Sequence, residues 1–84
     1  MNLKWSHYAQ SDRDRIYDYI DRENPRAAIL VDERIADATT TLKQFPETGR
    51  PGRIEGTREL VVQRPPYIVA YRIDHDTIRI LRVL

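Results

Sequence analysis

The spacing of the apolar residues changes halfway along this chain, and one core must accommodate both spacings. In the first half, apolar residues recur at steps of three and four, the period of one helix face, at Ala28, Val31, Ile35, Ala38 and Leu42. In the second half, three short runs rich in β-branched and aromatic residues are separated by turn-forming residues, which is typical of strands. Because 84 residues are too few for two independent cores, we expect a single domain spanning residues 1–84.

Capping residues mark the limits of the helical half. Residues 2–5 contain a short apolar run, interpreted as a first strand, and Ser6 is suited to cap a helix over residues 8–22. In the pair Asn24-Pro25, Asn is a favoured N-cap and Pro a favoured first helical residue, which predicts a second helix over residues 25–44. The short link between the helices predicts an antiparallel hairpin.

The first helix has an apolar side and a charged side. Its apolar side is formed by Ala9, Ile16, Tyr19 and Ile20. Asp12 belongs to the charged residues between positions 12 and 18 that fill much of the remaining surface. This pattern predicts that Asp12 lies on a solvated face with ion pairs between residues three and four apart.

Three strands are predicted after a turn-rich loop, over residues 57–63, 67–73 and 77–84. Arg64-Pro65-Pro66 separates the first two, and the short turns predict an antiparallel meander. Side chains alternate along a strand, so Tyr67 and Tyr71 share one face and Arg72 lies on the other. The helices can cover one face only, which leaves the other open to a partner.

These elements define the predicted fold. It is an α+β fold of order β-α-α-β-β-β, with the helical hairpin packed on one face of a small, mainly antiparallel four-stranded sheet.

Composition excludes several classes of function. The chain has no cysteine, and its two histidines lack helical metal-ligand spacing, so we expect no disulfide, metal or other cofactor. No apolar run has the length of a membrane span and the first residues lack the apolar core of a signal peptide, which predicts a cytoplasmic protein. The net charge of +1 gives no support to nucleic-acid binding.

Individual residues in the strand region allow two interpretations each. Arg58 and Glu59 are a candidate charged pair serving a site, although we favour a strand-start pair on opposite faces, with Arg58 bonding a neighbouring loop or carboxylate. Tyr67 and Tyr71 are possible proton donors, but their spacing favours packing against the helices with the hydroxyls at the rim. Arg72 points to the open face, and contact with a ligand or partner and simple solvation both remain open. His75, in an Asp-His-Asp turn, is expected to be solvated.

Six short motifs, taken together, resemble the RelE/ParE superfamily of bacterial toxins from toxin–antitoxin modules. They are D-x-x-x-I-x-x-Y-I from Asp12, N-P-x-A-A from Asn24, L-x-x-F-P-x-x-G-R-P-G from Leu42, G-T-R-E-L from Gly56, P-Y-I-V-A-Y from Pro66 and I-x-I-L-x-V from Ile78. The resemblance covers essentially the whole chain and implies the same β-α-α-β-β-β order. It also implies a hetero-oligomer with a neutralising antitoxin and a role in plasmid stabilization.

The superfamily divides by mechanism, and the residues of this chain favour one branch. RelE-like members cut mRNA on the ribosome without a metal, whereas ParE-like members inhibit DNA gyrase and are not known as nucleases. Where the nuclease has lysines on the open face, this chain has Glu59 and Val61, and where it has a strand arginine, this chain has Ile68. The chain stops at Leu84, before the nuclease's remaining catalytic groups, so we expect either a truncation or their absence. The resemblance therefore implies a ParE-like, non-enzymatic toxin.

We expect partner contacts on the open face, at Glu59, Val61, Gln63, Ile68, Ala70 and Arg72. An antitoxin segment is expected there, beside the helical hairpin, or at a sheet edge. Two alternatives remain. One is a ribosome-dependent mRNA endonuclease, with the ribosome and mRNA as partners and with Arg58 and Arg72 as catalytic candidates. The other is an inactive relative that still binds an antitoxin.

Overall fold

The structure is a computed structural model that describes residues 1–64 and 66–84. The elements are β1 (Asn2–Trp5), α1 (His7–Asp21), α2 (Pro25–Thr41), β2 (Arg50–Pro51), β3 (Arg58–Val62), β4 (Tyr67–Asp74) and β5 (Thr77–Val83). Pro65, part of the predicted turn between β3 and β4, lies outside the described residues. Neither helix of the described chain has the length and apolar character needed to cross a membrane.

The strands form one sheet in the spatial order β1-β5-β4-β3-β2. β1 lies parallel to β5, while the other neighbouring strands are antiparallel because short turns or loops join them. The predicted α+β class, the mainly antiparallel sheet and, apart from the additional strand β2, the element order are confirmed.

The sheet has five strands in its described part, and the prediction of four was incomplete. The additional strand is β2, in which Arg50 and Pro51 pair with Glu59 and Arg58 of β3. Two residues are too short to show a period of two, and a proline, which lacks an N–H group, argues against a strand. The pairing is therefore visible only when β3 is in place beside it.

Both predicted helix starts are confirmed, while the end of α2 differs. Ser6 Oγ accepts a hydrogen bond from the Ala9 amide at 3.0 Å, and Asn24 Oδ1 caps α2 in the same way at 3.1 Å. α2 ends at Thr41, earlier than predicted, because the amides of residues 42–44 bond to carbonyls three positions back rather than four. Such tight turns commonly close a helix.

A single core lies between the helical hairpin and the sheet. Helix α2 buries the predicted stripe at Ala28, Val31, Ile35 and Leu42, and Ala38 packs at its margin. The sheet contributes Val62, Val69, Tyr71, Ile78, Ile80 and Val83. Register pairs join these residues across strands, so the face of β4 that carries Val69 and Tyr71 is the helix-covered one, as predicted.

Two predictions for α1 were wrong. Tyr19, assigned to the apolar side, is 74% exposed. Asp12, assigned to the solvated face, is only 5% exposed. Tertiary packing explains the burial of Asp12. Helix α1 packs along β5, and the end of β5 supplies hydrogen-bond donors to the buried Asp12 carboxylate.

Candidate protein-contact surface

Four of the six residues predicted to contact a partner lie together on the open face of the sheet. Glu59 is opposite Ala70 and Val61 is opposite Ile68, and directly paired strand residues point to the same side. Arg72 is further along β4, next to Arg79 of β5. Gln63 lies in the turn that follows β3, outside the strand.

The open face contains a shallow groove of about 360 Å³. Its apolar lining consists of Ile54, Ile68, Ala70, Leu81 and Leu84. The sequence had indicated Ile68 and Ala70 but not the other three. The 73% exposure of Ile54 within a polar loop is an unusual placement for a large apolar side chain, and Leu84 is 65% exposed. Neighbouring exposed apolar residues of this kind are typical of a protein-contact surface.

A carboxylate forms one side of this groove. Glu59 accepts hydrogen bonds from Arg50 Nη2 at 3.2 Å and from the Arg53 amide at 3.4 Å. The Arg50 guanidinium, followed by the Arg53 amide, holds the pKa of Glu59 below its ordinary value. The groove therefore presents an ionised Glu59 carboxylate, paired with Arg50, beside apolar side chains, and Arg53 and Arg82 also line it.

The two arginines considered as catalytic candidates are not brought together. Arg58 is paired with Tyr71 on the helix-covered face, whereas Arg72 lies on the open face. The Arg58 guanidinium donates to the carbonyl oxygens of Glu47 at 3.2 Å and Gly49 at 2.8 Å. This is the loop contact that the sequence favoured for Arg58.

Other arginines of the sheet are also paired with acids. Arg79 Nε lies 3.2 Å from Asp74 Oδ2, and Arg72 Nη2 lies 3.9 Å from the same oxygen. Arg82 makes two short contacts with Asp12. Because a guanidinium compensated by a carboxylate attracts phosphate less strongly, the arginine-rich second half is less basic than its composition suggests.

The two tyrosines of β4 have different surroundings. Tyr71 is fully buried, and its hydroxyl donates to the Pro46 carbonyl at 2.6 Å and accepts from the Gly49 amide at 2.9 Å. Burial raises the pKa of the Tyr71 hydroxyl. The prediction that this hydroxyl lies at the rim was wrong, because residues 46–49 fold over it. Tyr67 lines a second groove, of about 300 Å³, beside α1.

An ion pair between the buried Asp12 and the half-exposed Arg82 links α1 to the end of β5, and the sequence reasoning missed it. Arg82 Nε and Nη2 donate to the two Asp12 oxygens at 2.7 and 2.9 Å, and the Val83 amide donates to Asp12 Oδ2 at 2.9 Å. The Arg82 hydrogen bond, aided by the Val83 amide, holds the pKa of Asp12 below its ordinary value despite burial. The sequence signal that could have revealed this ion pair is Arg82, a charged residue at a position of β5 where simple alternation would place a core residue.

The remaining polar candidates do not converge on a chemical site. His75 is exposed in the turn between β4 and β5, with a left-handed backbone (φ 57°). Within residues 1–64 and 66–84, no three histidine or carboxylate side chains cluster in a way that would hold a metal ion. The feature best suited to a function is therefore the apolar groove, which suits contact with another protein.

Comparison with known protein sequences identifies close relatives. A sequence profile of the family described as ParE toxin of type II toxin-antitoxin system, parDE, matches residues 3–84. The putative toxin Y4kP of Sinorhizobium fredii is 44% identical over 82 residues, which cover 98% of this chain and 84% of that protein. Toxin RelE2 of Caulobacter vibrioides is 35% identical over 79 residues, which cover 94% and 88%, respectively.

Solved structures agree with these matches. The chromosomal ParDE TA system from P. aeruginosa matches with a TM-score of 0.90 and 32% identity, over 99% of this chain and 92% of that one. The toxin–antitoxin complex RelBE2 from Mycobacterium tuberculosis matches with a TM-score of 0.67 and 27% identity, over 98% and 93%. The YoeB/ParE toxin from Agrobacterium tumefaciens, at 19% identity and a TM-score of 0.65 over 99% and 95%, shares the fold.

Proposed function

The chain belongs to the ParE toxin family of type II toxin–antitoxin systems, and from this premise we propose that it inhibits DNA gyrase by protein–protein contact. The proposed contact surface is the open-face groove around Ile68 and Ala70. A non-enzymatic toxin needs no acid, base or phosphate-binding group, only a surface that is complementary to its target.

The observation that carries this proposal is the chemistry of the open face. A ribonuclease requires cations near the scissile phosphate and groups that transfer protons. The groove instead presents the apolar Ile68, with Glu59 paired to Arg50 and Arg82 paired to Asp12, and Arg53 also lines it. The described lining holds no histidine, lysine or tyrosine that could transfer a proton, whereas its apolar side chains favour contact with a protein.

The structural comparisons support the same branch of the superfamily. The TM-score is 0.90 for the ParDE toxin and 0.67 for RelBE2. Both relatives are described as parts of toxin–antitoxin systems, which supports a cognate antitoxin as a second partner of this chain. We expect a stable complex with the antitoxin, in which the toxin no longer acts on its target.

A gyrase supercoiling assay with the purified chain tests the proposal. We expect supercoiling of relaxed plasmid to be lost at near-stoichiometric toxin. Ile68→Asp should weaken inhibition because it places a charge in the apolar groove. Ile29→Asp is the matched control, since Ile29 is 49% exposed on α2, away from the groove. Full supercoiling at a large excess of folded wild-type protein would contradict the proposal.

A parallel assay addresses mRNA cleavage. The 49% exposure of the Arg72 side chain on the open face is the observation that favours this alternative. Primer extension on translated mRNA should show no new ends if the toxin acts on gyrase. Discrete cleavage sites that disappear in Arg72→Ala would favour the endonuclease instead.

A further inference from the structure

Strand β5 contains one extra residue relative to its neighbour β4. Ala70 lies opposite Arg82 and Tyr71 lies opposite Ile80, so Leu81 has no partner of its own. This is a β-bulge, and because side chains alternate along a strand, one extra residue reverses the faces of all the residues that follow.

The reversal determines which side chains reach the open face. Without the bulge, Arg82 and Leu84 would continue on the core side. With it, Val83 enters the core at 2% exposure, and Leu84 faces the open groove opposite Ile68. Two backbone hydrogen bonds of 2.9 Å between Ile68 and Leu84 hold this register. The apolar composition of the groove therefore depends on the bulge.

The bulge lies where β1 no longer covers the edge of β5. The last pair of the two strands joins Trp5 to Ile80. One residue further, Ser6 Oγ donates a hydrogen bond to the Leu81 carbonyl at 2.8 Å while it caps α1. The Ser6 side chain, between β1 and α1, thus supplies the hydrogen bond to the bulged residue Leu81 that a neighbouring strand would otherwise provide.

Asp12, six residues after Ser6 in the chain, continues this replacement of a neighbouring strand. Its carboxylate accepts the Val83 amide and both Arg82 donors at 2.7–2.9 Å. Asp12 is the only charged residue in the buried class within residues 1–64 and 66–84. A buried carboxylate is costly unless it is paired, so its placement beside the bulge is a specific feature of this surface.

We propose that Asp12 is a positioning residue for the open-face contact surface. By holding the Arg82 guanidinium and the Val83 amide, it maintains the bulged register that places Leu84 in the groove beside Leu81. Asp12 itself lies on α1 and lines the groove beside that helix rather than the open groove, so its effect on binding is indirect. The use of the groove for gyrase contact rests on the proposed function, whereas the control of register does not.

Amide hydrogen exchange by NMR tests the register without any partner. In Asp12→Asn, we expect the Val83, Leu84 and Ile68 amides to exchange about tenfold faster or more, since local opening follows the loss of local bonds. Asp32→Asn is the matched control, because Asp32 forms a comparable two-bond pair with Arg13 between α1 and α2, away from the open-face groove.

The control separates positioning from general stability. Both variants should melt at lower temperature, but only Asp12→Asn should show faster exchange confined to the end of β5. If Asp12→Asn proves to be unfolded, Ser6→Ala removes the bond to the Leu81 carbonyl and should accelerate the same amides. Unchanged exchange in a folded Asp12→Asn, or equal acceleration in Asp32→Asn, would overturn the proposal.

The supercoiling assay then measures the consequence for binding. At 25 °C, with all proteins folded, we expect Asp12→Asn to require about tenfold more protein for half-inhibition, because a surface that is not preorganised binds more weakly. Asp32→Asn should match the wild type. Inactivity of the wild type towards gyrase would refute the proposed function alone, since the exchange data stand independently. Equal inhibition by Asp12→Asn and wild type, despite altered exchange, would refute the effect on contact.

Discussion

Substitution of Tyr71 by phenylalanine isolates one polar contribution to this fold. Tyr71 is completely buried in β4, and its hydroxyl joins the sheet to residues 46–49 through two hydrogen bonds. Phenylalanine retains the ring and its packing, so no cavity term accompanies the loss of the hydroxyl. The variant therefore measures how strongly the hydroxyl stabilises the loop.

The expected magnitude follows from the groups that lose their partner. The Gly49 amide is buried and bonds to the Tyr71 hydroxyl at 2.9 Å, while the Pro46 carbonyl is partly exposed. A buried donor left without an acceptor costs about 1–3 kcal/mol, and a carbonyl that regains water costs less. We expect a loss of about 2.5 kcal/mol in total. In a domain of this size, that corresponds to a fall in Tm of about 10–20 °C.

Thermal and urea unfolding followed by circular dichroism measure this loss. Tyr67→Phe is the matched control on the same face of β4, since the Tyr67 hydroxyl makes no hydrogen bond to any residue in the described chain. We expect its stability to remain within about 0.5 kcal/mol of the wild type. Equal melting temperatures for the two variants would refute the reasoning that the Tyr71 hydroxyl stabilises the loop.

Because the pKa of Tyr71 is raised, the difference in stability between the wild type and Tyr71→Phe should depend on pH. The folded state keeps this phenol protonated, while the unfolded chain releases the proton near pH 10. The folded state then binds more protons, so wild-type stability falls as the pH rises above about 10. In Tyr71→Phe, that part of the alkaline loss should be absent in urea titrations.

Three further substitutions test other parts of the structure. Gly49→Ala places a methyl group 2.6 Å from the Tyr71 hydroxyl oxygen, and we expect it to lower the free energy of unfolding by about 1–3 kcal/mol in urea titrations. Ile35→Ala empties a fully buried position of α2 and should cost about 2–5 kcal/mol by the same measurement. Asp12 has a depressed pKa, so its ion pair with Arg82 stabilises the fold above the ordinary carboxyl pKa and is lost as the pH falls through the depressed value. Acid titration of Asp12→Asn should lack this component, and an unchanged acid transition would contradict it.

Much of the fold is encoded in short-range patterns. Ser6 and Asn24 cap their own helices, and the stripe from Ala28 to Leu42 has the period of the helix that it forms. These signals are readable because their physical cause lies within a few residues of chain. The two-residue strand β2 is the counterexample, since its formation depends on β3.

The open-face groove was predictable only in part. Glu59, Val61, Ile68 and Ala70 follow the simple alternation of β3 and β4, and the sequence placed them correctly on one face. Arg58 and Arg72 were considered together as catalytic candidates, although alternation along the paired strands sets them on opposite sides. The register between strands decides such a question, and the sequence alone does not supply the register.

The sequence by itself determined the helical hairpin, the meander, the covered face of β4 and, through six motifs, the toxin superfamily. Only the tertiary structure decided the end of β5. There, Asp12 comes from a helix 70 residues earlier in the chain and holds a bulge that reverses the alternation. Because that reversal depends on bonds between distant residues, local periodicity assigned Asp12 to solvent and did not place Leu84 in the groove.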